Sequence, residues 1–120
     1  MAMIIVVEDD FFILQAAHWM IDDMGHGALL ASDVAGALLH LDAAHHIDAL
    51  FVDMRLHALV FGGCEVADHA VVLRPGLPVL YTSGSALTDA MAARFVPGAR
   101  FLAKPYSPAQ LEASLAAMLA

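Results

Sequence analysis

Short apolar runs alternate with longer segments of helical periodicity along the whole chain. Met3–Val7 (MIIVV) reads as a strand. Asp10–Met24 follows as a helix, with Ile13, Ala16/Ala17, Met20 and Met24 at helical spacing and Gly25 and Gly27 marking its end. Ala28–Ala31 is a short strand and Val34–Ala43 a second helix. Asp48–Asp53 (DALFVD) is a central strand, and Cys64–Leu73 a third helix closed by Arg74-Pro75-Gly76. Pro78–Thr82 (PVLYT) is a fourth strand, and Ala86–Phe95 a helix ended by Pro97-Gly98. Arg100–Ala103 is a fifth strand. Ser107–Leu119 is the last helix, with Ser107 as N-cap and Pro108 at the first helical position. Strands that alternate with helices predict an α/β domain, a parallel sheet covered by helices on both faces. Strands one, three and four are apolar almost throughout, as expected of strands buried on both sides.

In such a sheet, ligands bind outside the carboxyl ends of the strands, where the strand order reverses. Strand one ends in Glu8-Asp9-Asp10, strand three in Asp53, strand four in Thr82-Ser83-Gly84 and strand five in Lys104-Pro105. The domain's single lysine therefore falls at the same edge as a group of acids. Clustered carboxylates suit a hard cation such as Mg²⁺, which takes oxygen ligands and keeps several waters. Asp53 at a strand end can act as a nucleophile toward phosphorus, with metal and lysine neutralising the transferring group.

Composition narrows the remaining classes. The chain has 120 residues, enough for one compact domain with a core, residues 1–120. It carries 13 acids against five Lys and Arg, a formal charge of −8, which disfavours direct nucleic-acid binding. No apolar stretch reaches the ~20 residues that membrane insertion requires. The start, MAMIIVVEDD, lacks the positive segment of a secretory signal, and Cys64 stands alone, so a cytoplasmic protein is expected. The seven histidines show no metal-ligand spacing and read as surface residues.

The segments IIVVEDD, LFVDMRL, RPGLPVLYTSG and FLAKPYSPAQL occur in the order, and at the strand ends, that resemble the receiver domain of two-component response regulators, of the chemotaxis-Y-like kind. The resemblance covers essentially the whole chain. It implies a doubly wound, flavodoxin-like (βα)5 fold with strand order 2-1-3-4-5. It implies that Asp53 accepts a phosphoryl group from a sensor histidine kinase or a histidine phosphotransfer protein. Glu8 and Asp9 match the acidic pair that positions Mg²⁺, joined by Asp53 and the backbone carbonyl of Arg55. Lys104 matches the lysine that pairs with the phosphoryl oxygens. Ser83, five residues after Pro78, matches the hydroxyl that senses the phosphoryl group, with Thr82 as the other candidate. Phe101, three before Lys104, matches the aromatic switch. The family's phosphodonors dock on the first helix, which makes Phe11, Gln15 and Trp19 candidate contacts.

The family often has a proline after the third-strand motif. This chain reads DMRLHALVFGG there, a loop one residue longer and unusually apolar (Ala58, Leu59, Val60, Phe61). Arg55 and Ser85 occupy positions where the family varies the phosphoryl lifetime, and Arg55 is expected to shield the aspartyl phosphate from water. The resemblance implies self-catalysed phosphorylation and dephosphorylation rather than a turnover enzyme, and an output protein that the sequence does not name. With no linker or basic module after the last helix, a stand-alone receiver or one cut from a hybrid histidine kinase is expected. The alternative is a receiver-fold interaction module that works without phosphorylation. A hydrolase using an aspartyl phosphate would want an acid where Arg55 stands, and a flavin domain a hydroxyl-rich loop where the acids stand.

Overall fold

The computed structural model describes every residue except Ala44. Five strands, β1 (Met3–Val7), β2 (Gly27–Ala31), β3 (Ala49–Asp53), β4 (Val79–Ser83) and β5 (Arg100–Ala103), form one parallel sheet in the order β2-β1-β3-β4-β5. Helices α1 (Phe11–Asp23), α2 (Val34–Asp42), α3 (Gly62–Leu73), α4 (Asp89–Ala92) and α5 (Pro108–Leu119) connect and cover them. This is the covered parallel sheet expected from the alternation, in the doubly wound strand order that the resemblance implies, with the order reversing between β1 and β3.

The period-two alternation of the strands sorts the core into two layers. Ile5, Val7, Leu50, Val52, Val79 and Tyr81 pack against α2 and α3 through Ala37, Leu41, Val66 and Ala70. Ile4, Val6, Ala49, Phe51 and Leu80 pack against α1 and α5 through Ala17, Ile21, Leu111 and Leu115. Asp53 follows Ala49 and Phe51 on the second face, at the carboxyl end of a strand buried along its whole length.

Most boundaries fall within two residues of expectation, and three of the differences have clear local reasons. Helix α1 begins at Phe11, because Asp10 is its N-cap: Asp10 Oδ1 accepts hydrogen bonds from the amides of Phe12 and Ile13. Its buried residues are Ala17 and Ile21, with Leu14, Met20 and Met24 beside them, while Ile13 and Ala16 turn toward a groove shared with Lys104, Pro105 and Tyr106. The fourth helix is one turn, Asp89–Ala92, instead of Ala86–Phe95. Thr88 caps it, and none of its residues is buried, so nothing offsets the ordering of a longer helix. The strand before it runs on to Ser83, which pairs with Ala103. No helix among the described residues is long and apolar enough to cross a membrane.

Candidate functional site

Parallel pairing brings the ends of β1, β3 and β5 together at one edge of the sheet. One carboxylate oxygen from each of Glu8, Asp9 and Asp53 lies within 4.8 Å of the others. Lys104 reaches in from the end of β5, with Nζ 2.9 Å from Asp53 Oδ2 and 2.5 Å from Glu8 Oε1. Its approach to Asp53 is a directed hydrogen bond. Its approach to Glu8 Oε1 is a close ion-pair contact inside the buried site, so the ammonium bridges two buried carboxylates. Glu8 and Asp53 are both buried, and Asp9 is half-buried.

The charge balance is visible in the proton affinities. Burial pushes the Glu8 carboxyl up to about 7; Lys104 opposes this, and the neighbouring Asp53 carboxylate reinforces it. Burial also acts to raise Asp9, but the amide of His57, then Glu8, outweigh it and hold Asp9 below the usual carboxylate range. Burial acts to lower Lys104, and its bonds to Glu8 and Asp53 reverse this, so its ammonium is held more firmly than usual. Three acids with one resident ammonium leave an oxygen-rich, negatively charged cluster. These donors fit a hard divalent cation.

The structure places the other expected residues as follows. Thr82 Oγ1 donates to the Leu102 carbonyl at 2.7 Å, which commits that hydroxyl to the neighbouring strand. Ser83 Oγ accepts from the Ser85 amide at 3.0 Å and retains its own proton to donate. The amide of Lys104 donates to the Ser83 carbonyl, which seats Ser83 beside the lysine. Arg55 is exposed, two residues past Asp53. Phe101 is half-buried and stacks on Phe95 at 6.1 Å, and Phe95 stacks on Tyr81 at 4.2 Å. Phe11 and Trp19 are 67% and 63% exposed on α1, and Gln15 lies between them. The adjacent stripe, Phe12, Ile13, Ala16 and Met20, lines a groove of about 510 Å³ whose far wall is Lys104, Pro105 and Tyr106. The candidate stripe Phe11, Gln15 and Trp19 thus flanks the groove instead of lining it.

Three residues at the site escaped the sequence reading. A Cβ on Gly63 would stand 2.1 Å from the Asp53 carbonyl oxygen, so only glycine lets the start of α3 pass behind Asp53. The Gly62-Gly63 pair was the available signal. Tyr106 lies against Phe51; burial, then the nearby Glu8 and Asp53 charges, raise its phenol well above the usual range. Its place two residues after Lys104 was the clue. His57 has φ of 55° and donates its amide to Asp9 Oδ2 at 2.8 Å. Nothing in the sequence marked that contact.

Comparison with known proteins agrees with this geometry. No curated protein matches the chain. A response regulator receiver protein from Sinorhizobium medicae overlays with a TM-score of 0.89 at 28% identity, over 98% of this chain and 94% of that one. NtrX from Brucella abortus matches at 26% identity and a TM-score of 0.87, over 98% of this chain but 27% of its own length. A CheY-like receiver domain protein from Methanospirillum hungatei, at 21% identity and a TM-score of 0.88 over 99% of this chain and 94% of that one, shares the fold. Residues 4–116, from β1 into α5, match the response regulator receiver domain, and on that span the chain belongs to the receiver-domain family of two-component signalling.

Proposed function

We propose that this receiver accepts a phosphoryl group on Asp53 from a phosphohistidine of a sensor histidine kinase or histidine phosphotransfer protein. The observation that carries the reading is Asp53 itself: a buried strand-end carboxylate bonded to the only lysine and set against two further acids. A carboxylate oxygen of Asp53 forms the new bond to phosphorus as the bond to the imidazole nitrogen breaks, and the imidazole leaves with its electron pair and takes a proton. Glu8, Asp9, Asp53 and the Arg55 carbonyl would hold Mg²⁺, which when bound supplies positive charge to the phosphoryl oxygens. Lys104 orients Asp53 and then pairs with the phosphoryl oxygens. Ser83 offers its free hydroxyl proton to them, and Phe101 follows as the switch aromatic. The groove between α1 and Tyr106 opens beside the site, and its flanking Phe11, Gln15 and Trp19 are the contacts for the phosphodonor. The protein acts on itself in this scheme, in the cytoplasm, and passes the signal to an output protein by contact.

Incubation with acetyl phosphate and Mg²⁺, followed by intact-mass measurement, tests the reading. One added phosphoryl group is expected, absent in Asp53→Asn and in chelated protein. A folded, Mg²⁺-binding chain with no adduct from acetyl phosphate or from a phosphohistidine donor would point instead to an interaction module independent of phosphorylation.

A further inference from the structure

The loop from β3 to α3 turns back onto the site at His57. Leu56 and Leu59 exchange backbone hydrogen bonds at 3.0 Å, closing a tight turn with His57 and Ala58 at its tip. Leu56 is fully buried and anchors the turn. His57 takes φ of 55°, the left-handed conformation that a residue with a side chain rarely adopts. That conformation aims its N–H at Asp9 Oδ2, 48 residues earlier, at 2.8 Å. The ring holds the same turn from outside. Nε2 lies 3.1 Å from the Ser32 carbonyl oxygen, which can only accept, so the ring proton sits on Nε2. Nδ1 stands 3.9 Å from Asp9 Oδ2, beyond hydrogen-bond distance. One residue thus joins the loop after β3, the loop after β2 and an acid of the candidate cation cluster.

We propose that His57 is a positioning residue for Asp9: its backbone amide fixes one oxygen of that carboxylate and so presets the acid for a divalent cation. The inference rests on the reading of Glu8, Asp9 and Asp53 as a cation site. A metal-binding carboxylate is oriented by the groups that bond to it from outside, and loss of such a partner lowers metal affinity by about 10–100-fold. Here the partner is a main-chain group, so the side chain matters through the backbone shape it permits. Glycine adopts the left-handed region freely and asparagine tolerates it, and both keep the N–H. Valine is strongly disfavoured there, and proline has no N–H and cannot reach positive φ.

Calorimetric titration of the full chain with MgCl₂, for wild type and for His57→Gly, His57→Asn, His57→Val and His57→Pro, tests the assignment. Unfolding midpoints in EDTA are measured beside it. Glycine and asparagine are expected to bind Mg²⁺ within about twofold of wild type, and valine and proline at least about tenfold more weakly. A folded valine variant that keeps its EDTA midpoint to within a few degrees while losing Mg²⁺ affinity separates cation affinity from fold stability. If the proline variant does not fold, the valine variant decides. Wild-type affinity in folded valine and proline variants would overturn the proposal. So would an equal loss in the glycine and asparagine variants, which would assign the effect to the ring. A wild-type chain that takes up no Mg²⁺ would instead remove the cation-site reading on which the proposal rests.

Discussion

Glu8 is placed where burial and the adjacent Asp53 carboxylate both favour its protonated form, and Lys104 offsets them only in part. A proton and a divalent cation then compete for the same oxygens. Below the raised value of about 7, Mg²⁺ must displace the proton, so its affinity should fall as the pH drops. Above that value Glu8 is already ionised, and affinity should level off. Titrations between about pH 5.5 and about pH 8.5 should show this slope in wild type and a much flatter profile in Glu8→Gln. A flat wild-type profile would mean that Glu8 is not part of the cation site. Glu8, Asp9, Asp53 and Lys104 were legible in the sequence because each stands where an apolar strand run stops. Gly63 and His57 were not. Their importance comes from a loop that closes back on Asp53 and Asp9, and no periodicity encodes that return.

Among the elements, the helices differ in how well their ends suit their dipoles. Helix α5 starts with a full capping box between Ser107 and Gln110. Helix α1 is well capped at its start by Asp10 but ends in Asp22 and Asp23 with no basic residue in its last turn. Acids at a helix C-terminus face its partial negative charge. Asp23→Lys should therefore raise stability by about 0.3–1 kcal/mol in urea unfolding at low salt, and a loss of stability would show that Asp23 has another role. The strands and four of the helices were legible to within two residues, because apolar runs and capping residues are local signals. The fourth helix was not. The segment Ala86–Phe95 has helical composition, yet only Asp89–Ala92 is helical, because Phe95 leaves to stack on Tyr81 and no residue of the helix is buried. Packing, not propensity, set its length.

Across the whole molecule the charge is unevenly shared. Residues 1–85 carry 11 acids and two arginines, whereas residues 86–120 carry two acids, two arginines and the lysine, giving −9 and +1 of the total −8. The first region holds β1 to β4 with the acidic cluster, and the second holds α4, β5 and α5. Self-repulsion of this size opposes compaction, and salt screens it within about 10 Å at about 0.1 M. Thermal unfolding followed by circular dichroism should move upward as NaCl is raised from about 0.02 M to about 0.3 M. A downward shift would show that ion pairs such as Lys104 with Glu8 and Asp53 outweigh the repulsion. The covered parallel sheet was readable from alternation, since five strand–helix repeats with central strands apolar almost to their ends leave few alternatives.

The single tryptophan, Trp19, stands largely in solvent on α1, beside the groove that opens next to Asp53. Its indole already samples water in the folded chain, so its emission will change little when the protein unfolds and is a poor gauge of folding. The same exposure makes it a built-in optical sensor for docking. A partner that covers α1 takes the indole out of water and shifts its emission to shorter wavelength, whereas a partner that binds at β5 and α5 leaves the colour unchanged.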